Sequence, residues 1–453
     1  MPAAAPPNRW TIAIAGAVLM LTIGTIYSWA IFTQPLLVAY GWDLTVTTWA
    51  YAIANFSLGA IGAVIGGFWQ DKAGPRRVAM VGVALWGSGN LLAGIGTPAL
   101  GAPWLYLTYG VIGGIGAGMA YITPLSMVTK WFPDRKGLAG GFVVGGFGLG
   151  AFIYNQLVPR LSGFHLATVH AGGFIAAKSA AAAAGLPFDA THLPASQIMS
   201  AQDSSAVMRV FIVSGVIYLI IGLLAASRFK NPPAAYSLKT AASVGYSPSQ
   251  LIAMPQFYLM WLLLFVNVIG GITIISNAVY IIADLTKHPA ATIAPLFGLV
   301  SVFNALGRFF WGAISDRLGC NRTYTAMFAI QAVTLLLMTQ VQDLSLALAG
   351  ISVVLLCCGG GFGTMPSFNA QYFGTKFVGL NYGLIVSAWG FAGLIGPIVV
   401  ARVKDVTGSF AAMLPAIAFL LIAALIIPFV LKKPSAARPA TLRPPRRIVP
   451  ALS

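Results

Sequence analysis

The segment GFWQDKAGPRR at residues 67–77 and the segment GAISDRLGCNR at residues 312–322 share the pattern G-x-x-x-D-[K/R]-x-G, 245 residues apart. A weaker echo at nearly the same separation pairs WFP at 131–133 with YFG at 372–374. In each motif the aspartate and the following glycine suit the end of a helix and a tight turn. Two repeated motifs with nearly the same separation predict that the chain consists of two similar halves, with their motifs in the same order.

Four charged residues of these motifs, Asp71, Arg76, Asp316 and Arg317, are candidates for a gate. A carboxylate at a helix end can pair with an arginine or with the amino terminus of another helix, and so hold one conformation closed. The alternative is that these charges only mark loops at a lipid surface. Because the motif occurs twice at equivalent places, we expect the gating role.

The composition around these motifs is that of a membrane protein. Of the 453 residues, 58% are hydrophobic and only 8% are charged, whereas a soluble protein of this size carries about a quarter charged residues. Such a chain cannot cover itself with polar surface, which excludes a soluble enzyme, a secreted domain and a disordered chain. The three cysteines, two of them adjacent, predict no disulfide framework.

Uncharged stretches long enough to cross a hydrocarbon core of ~30 Å recur throughout the chain. The stretch 78–129 is too long for one crossing and contains the turn-like segment GTPALGAP at 96–103. The sequence therefore predicts an all-α membrane protein with twelve transmembrane helices in two six-helix repeats. The predicted spans are 10–33, 46–69, 78–95, 104–129, 137–158, 209–227, 256–282, 291–313, 323–341, 345–369, 377–401 and 409–431.

The same pattern divides the chain into segments. Residues 1–227 are the predicted amino-terminal half, with an outside insertion at 160–208 that we expect to be a tolerated loop rather than a helical lid. Residues 228–255 are the predicted cytoplasmic linker, and residues 256–431 the carboxy-terminal half. Residues 432–453 are rich in proline and arginine, which predicts a disordered tail attracted to anionic lipid.

The distribution of Lys and Arg predicts the orientation. With the amino terminus inside, 19 of the 26 basic residues fall in inside turns and tails and six fall in outside turns, as the positive-inside rule requires. We therefore expect both termini to be cytoplasmic. The net charge of +17 is then mostly a topology signal, and because the basic residues are dispersed, no nucleic-acid partner is expected.

Arg209 begins the sixth predicted span, and Arg308 is the only charged residue in the interior of one, about 12 Å from Asp316 along the helix axis. A buried arginine needs a partner, but all nine acidic residues are Asp and lie in or beside loops. The simplest resolution is that a transported solute supplies the anion, because a guanidinium holds a carboxylate through two parallel hydrogen bonds. The alternative is an arginine bonded to helix carbonyls or reaching the cytoplasm. Asn304, one turn earlier, either serves this site or holds two helices together.

The doubled motif resembles the signature of the major facilitator superfamily. More narrowly, the segment YSW at 27–29, the segment DKAGPR at 71–76 and the segment KWFPDRKGL at 130–138 are similar to the oxalate:formate antiporter family. The resemblance implies a transporter whose solute site lies between the two halves at mid-membrane. In that family an arginine on the eighth span and a lysine on the eleventh clamp a dicarboxylate. Arg308 matches the arginine, whereas Trp389 stands where the lysine would be.

The presence of Trp389 in place of the lysine leaves one cation at the site. One cation pairs naturally with one carboxylate, which favours a monocarboxylate. The pair formed by Asn304 and Arg308 also resembles the eighth-helix arrangement of monocarboxylate transporters. The resemblance further implies that Cys358 replaces a tryptophan and enlarges the pocket. The aromatic residues that it places at the site, each with ordinary packing as the alternative, are Tyr27, Tyr121, Phe362 and Trp389.

Glycines at four-residue spacing predict close approach between helices. Gly110, Gly114 and Gly118 have this spacing on the fourth span, and Gly141 and Gly145 have it on the fifth. Helices that rock against each other would need such residues, and so would a bundle that is merely tight.

Together these observations predict a monomeric secondary transporter of small carboxylates, most simply monocarboxylates such as lactate, pyruvate or formate, in the bacterial inner (plasma) membrane. The alternatives are an oxalate:formate-type antiporter and a receptor on the same fold that does not transport. An enzyme is not expected, since no His, Asp or Glu cluster lies within the spans, and neither is a metal or a cofactor. The four histidines lie in outside turns, which leaves open whether a proton or a counter-anion is the coupled species.

Overall fold

The computed structural model describes residues 8–161, 201–233 and 245–434. Within these ranges the chain forms helices joined by short turns, and the β-type pairing there is one isolated bridge between Gly245 and Gly374. Most of the predicted insertion at 160–208 and of the predicted tail at 432–453 lies outside the described residues. Residues 234–244 of the predicted linker also lie outside them.

The first six membrane helices, α1–α6, come from the amino-terminal part of the chain, and most of them are built from several helical pieces. Helix α1 comprises Arg9–Gly24, Thr25–Trp29 and Ala30–Tyr40, and α2 comprises Leu44–Phe56, Ser57–Gly62 and Ala63–Ala73. Helices α3 and α4 form one continuous run, Pro75–Leu105, Tyr106–Gly113 and Gly114–Trp131, which is divided at Gly101. Helix α5 is Lys136–Leu161, and α6 comprises Ala201–Ile217, Tyr218–Gly222 and Leu223–Ser227.

The second six, α7–α12, follow a short helix at Pro248–Ile252. Helix α7 is Pro255–Thr286; α8 comprises Ala290–Val300 and Val302–Leu318; α9 is Cys320–Met338; α10 is Leu344–Phe373; α11 is Val378–Thr407; and α12 comprises Met413–Ala424 and Ile426–Val430.

Nine helical segments in the described ranges are long and apolar enough to cross a membrane. One of them, Pro75–Trp131, contains both α3 and α4. Helix α8 is not among the nine because it is divided at Ser301 into two pieces that are too short to cross a membrane. Helix α9 is not among them because Asn321, Arg322 and Gln331 make it less apolar. The predicted all-α fold with twelve membrane helices is confirmed.

The turns form where the sequence predicts them. Gly74 and Gly319, which end the two motifs, have φ of 84° and 82°, a backbone region that L side chains rarely adopt. Gly101, inside the predicted break at 96–103, has φ of 70° and separates α3 from α4. We call the end of the bundle where α2 meets α3 and α8 meets α9 the motif end.

Helix α5 packs directly on α8, and α2 packs on α11, so that these two helix pairs join the two halves. The paired helices approach each other closely because glycines of one helix lie against the backbone of the other. A methyl group on Gly141 would collide with the carbonyl oxygen of Arg308, and one on Gly67 would collide with that of Gly379. Gly145 differs from its predicted partner Gly141, since a methyl group there would have only the carbonyl oxygen of Ala305 near it, at 3.8 Å.

Candidate functional site

Arg308 lies on α8 in the interior of the bundle, and its side chain has no exposed surface. Its Nε and Nη2 atoms both donate hydrogen bonds to Oδ1 of Asn304, at 3.2 and 3.1 Å. The amide nitrogen of Asn304 donates in turn to the carbonyl oxygen of Leu355 on α10, at 3.4 Å. One edge of the guanidinium is thus held by a neutral amide, while its Nη1 has no hydrogen-bond partner among the described residues.

Three aromatic rings surround this guanidinium. Its central carbon lies 4.9 Å from the ring centre of Phe147 on α5, 4.9 Å from that of Phe362 on α10 and 5.8 Å from that of Tyr27 on α1. Ring faces attract a cation, and more strongly where water is excluded. These contacts lower part of the cost of burying the charge without neutralising it.

Trp389 on α11 closes the aromatic wall. Its ring centre lies 5.0 Å from that of Phe362, 5.3 Å from that of Tyr121 and 5.4 Å from that of Phe147. The indole nitrogen donates to Oδ1 of Asn55 on α2, at 3.1 Å, inside the bundle. Trp389 therefore offers an apolar ring to the site, because its polar atom is already bonded.

The structure brings together all six residues predicted for the site. The hydroxyl of Tyr121 on α4 is buried and, like Nη1 of Arg308, has no hydrogen-bond partner among the described residues. Both groups can donate to an anion, and both belong to a cluster that contains rings from the two halves of the chain.

A small cavity of about 10 Å³, room for about one water molecule, adjoins this cluster. Its lining residues are Tyr27, Asn267, Val268, Gly271, Ile272, Ile275, Asn304, Cys358 and Phe362. A carboxylate solute is larger than this, so the cavity must widen when the surrounding helices separate before such a solute can enter it. Cys358, which the sequence predicts to enlarge the pocket, is part of its wall.

The two predicted gate aspartates lie at the motif end and contact helix amino termini of the opposite half. Asp316, in the last turn of α8, accepts hydrogen bonds from the backbone nitrogens of Gly137 and Leu138 on α5, at 2.7 and 2.8 Å. Asp71, in the last turn of α2, accepts from those of Gly379 and Leu380 on α11, at 3.1 and 2.9 Å. A carboxylate there also interacts favourably with the helix dipole.

The two predicted gate arginines are placed differently. Arg76 and Arg317 are exposed and make no ion pair or hydrogen bond within the described part of the chain. Of the two partners that the motif allowed for a carboxylate, the structure uses the helix amino terminus.

A bidentate ion pair does form nearby, from Arg9 to Asp134, with nitrogen–oxygen distances of 2.7 and 3.1 Å. Burial raises the pKa of Asp134, but the hydrogen bonds from Arg9, a backbone hydrogen bond and the charges of Arg9 and Arg135 together bring it below its ordinary value.

Several residues of the site are not among the sequence candidates. Phe147 is visible in the sequence only as the repeat partner of Trp389, and its contact with Arg308 depends on the packing of α5 on α8. Asn55 and Asn267 carried a usable signal, because an amide in the middle of an apolar span is costly unless it has a partner.

Comparisons with known structures agree with this architecture. The proton:xylose symporter XylE superposes with a TM-score of 0.68 at 14% identity, covering 94% of this chain and 96% of that chain. The transporter FucP, solved in an outward conformation, superposes with a TM-score of 0.62 at 16% identity, covering 93% and 100%. At these identities the likeness shows the fold alone.

Relatives of known sequence include the oxalate:formate antiporter of Oxalobacter formigenes, 26% identical over 393 residues, or 86% of this chain and 83% of the relative. The apicoplast pyruvate carrier 1 of Toxoplasma gondii is 27% identical, over 77% of this chain and 69% of the carrier. Human monocarboxylate transporter 14 is 24% identical, over 81% and 78%. The model of the Major Facilitator Superfamily matches residues 12–397, and again 260–451. With this match over most of its length and the twelve-helix fold, the chain belongs to the Major Facilitator Superfamily of membrane transporters.

Proposed function

We propose that this transporter carries small carboxylates, with monocarboxylates preferred, and that Arg308 is the anion anchor. The observation that carries the proposal is a fully buried guanidinium whose Nη1 has no partner and which makes no ion pair within the described residues. Burying an unpaired charge costs several kcal/mol in a membrane. A carboxylate solute would remove this cost, because it supplies both the opposite charge and two acceptor oxygens.

The surroundings of Arg308 favour a single carboxylate. The Tyr121 hydroxyl is a further buried donor of the cluster that makes no hydrogen bond, and it carries no charge. Trp389 adds a ring rather than a cation, and its indole nitrogen is engaged with Asn55. Most of the remaining walls are rings and aliphatic side chains, which suit a short hydrocarbon portion of the solute.

The relatives support the class of solute. One is named for oxalate and formate, one for pyruvate and one for monocarboxylates. The antiporter relative also favours a second candidate, an exchanger of a dicarboxylate against a monocarboxylate. A single cation at the site argues against this candidate, because a dicarboxylate would leave one of its charges buried without a partner.

Alternating access would then proceed by opening and closing the motif end. In the present conformation Asp71 and Asp316 each tie a helix of one half to the amino terminus of a helix in the other. Releasing these ties would let the halves separate there and open Arg308 to that side. We infer from the positive-inside distribution that this is the cytoplasmic side, and we propose the bacterial inner membrane as the location.

The test is uptake of radiolabelled lactate, pyruvate, formate and oxalate into proteoliposomes, with and without an internal counter-anion and with and without a proton gradient. We expect uptake of monocarboxylates and little uptake of oxalate. Dependence on the counter-anion would identify exchange, and acceleration by the proton gradient would identify symport with a proton. Uptake of oxalate in preference to the others would contradict the single-cation argument. Failure to move any of the four would remove the carboxylate class.

A further inference from the structure

The cavity beside Arg308 has a second polar wall, formed by Asn267 on α7. Its side-chain nitrogen donates to the carbonyl oxygen of Cys358 on α10, at 2.9 Å. This bond determines the orientation of the amide, because only the NH₂ group can donate to a carbonyl. Oδ1 is therefore the free atom of Asn267, and it has no hydrogen-bond partner among the described residues although the residue is only 1% exposed.

A buried oxygen acceptor without a donor is rare in folded proteins and unfavourable. Tyr27 and Asn304 also line the cavity and carry donor groups, but neither donates to Oδ1 of Asn267 in this structure. The other neighbouring residues supply no donor. Val268, Ile272 and Ile275 offer only hydrocarbon, and Gly271 has no side chain. The thiol of Cys358 is directed to the backbone oxygen of Asn267, at 3.6 Å. The present cavity has room for one water molecule as the donor, and a hydroxyl group of a solute would take that place when the cavity widens.

The cavity also contains Asn304, the residue that holds Arg308. The cavity thus reaches the amide that holds the proposed anion anchor Arg308, and it presents at Asn267 a neutral acceptor that requires an O–H or N–H donor. A solute that satisfies both has a carboxylate at one end and a hydroxyl group close to it. A keto oxygen cannot satisfy Asn267, because it is itself only an acceptor.

We propose that Asn267 is a specificity residue that selects hydroxy monocarboxylates over oxo monocarboxylates of the same carbon skeleton. This inference rests on the proposed function, since it takes the carboxylate at Arg308 as given. The mechanism of selection is the loss of a hydrogen bond at a buried acceptor, which discriminates against an analogue lacking the donor more strongly than a difference in size does.

The experiment compares lactate, pyruvate and propionate as competitors of radiolabelled lactate uptake in proteoliposomes. In the unaltered protein we expect the inhibition constants of pyruvate and propionate to exceed that of lactate by about three- to tenfold, the effect of one neutral hydrogen bond. In Asn267→Leu, which has a similar size and no acceptor, the ratio of the pyruvate constant to the lactate constant should fall close to one. Because this is a ratio within one preparation, it does not depend on how much protein is folded.

Asn277→Leu is the matched control. Asn277 lies on the same helix, and its side-chain nitrogen donates to the carbonyl oxygen of Thr273 within that helix, so this variant should keep the unaltered ratio. The inference is overturned if the unaltered protein does not prefer lactate, which is the result expected if a water molecule rather than the solute donates to Asn267. It is also overturned if the preference for lactate survives in Asn267→Leu. Should the unaltered protein move none of the three acids, the proposed function itself fails. Transport of all three without preference removes only the role of Asn267.

Discussion

Substitution of Gly141 by alanine is the sharpest test of how the two halves meet. A methyl group on Gly141 would collide with the backbone carbonyl oxygen of Arg308 and lie 3.3 Å from the Cα atom of Gly312. Backbone cannot rotate away as a flexible side chain can, so α5 and α8 must move apart. Gly145→Ala is the matched control, because it adds the same methyl group one turn along the same helix, where the nearest atom would be 3.8 Å away.

The magnitude follows from overpacking. Inserting a methyl group into a tight contact costs about 1–3 kcal/mol, and the cost applies only to conformations in which α5 and α8 touch here. The equilibrium between the closed and the open motif end should therefore shift toward the open form by about 5- to 150-fold. Alanine in place of glycine also favours the helix itself by up to about 1 kcal/mol, but this gain is common to both variants.

The assay is hydrogen exchange of the backbone amides of Gly137 and Leu138, which donate to Asp316 in the closed form. We expect Gly141→Ala to exchange faster at these amides than the unaltered protein, and Gly145→Ala to match the unaltered protein. Equal exchange in the two variants would refute the reasoning, since it would mean that the contact between Gly141 and Arg308 does not hold the motif end closed.

Three further predictions concern the site and its gate. Arg308→Lys keeps the charge but loses the planar donor fork, so we expect the KM for a monocarboxylate to rise by about 10- to 100-fold; an unchanged KM would remove Arg308 from the site. Trp389→Lys adds a second cation beside the first and should raise the ratio of oxalate to lactate uptake, and a constant ratio would count against Trp389 as a wall of the site. Asp316→Asn weakens the interaction with the amino terminus of α5 by about 0.3–1 kcal/mol. Amide exchange at Gly137 should then be faster, and unchanged exchange would argue against a gate.

The positions of the membrane spans and of the turns between them could be predicted from the sequence. Alternation of apolar runs with charged turns follows directly from the length needed to cross a bilayer, and it located the helices and the break near Gly101. The glycines of the two motifs were predictable because a turn with positive φ excludes most other residues. The division of α8 at Ser301 was not predictable, because no proline or glycine at that position indicates it.

The site was only partly visible. Arg308 stood out because a charge in an apolar span is costly wherever that span lies in the fold. Phe147 did not stand out, since a ring has many ordinary places in a helix bundle, and the amide of Asn267 signalled only that it needs a partner, not which one. Their importance depends on the neighbours that α5, α7 and α10 place beside them.

The sequence by itself determined the all-α class, the number of crossings, the internal repeat and the position of one buried cation, because each depends on hydropathy, charge and spacing along a single helix. Only the tertiary structure decided which groups meet across the halves. It placed the carboxylates of Asp71 and Asp316 on helix amino termini rather than on arginines, and it put Gly141, but not Gly145, against opposing backbone. The physical reason is that these contacts join residues far apart in the chain, and the distance between two packed helices is decided by both surfaces at once.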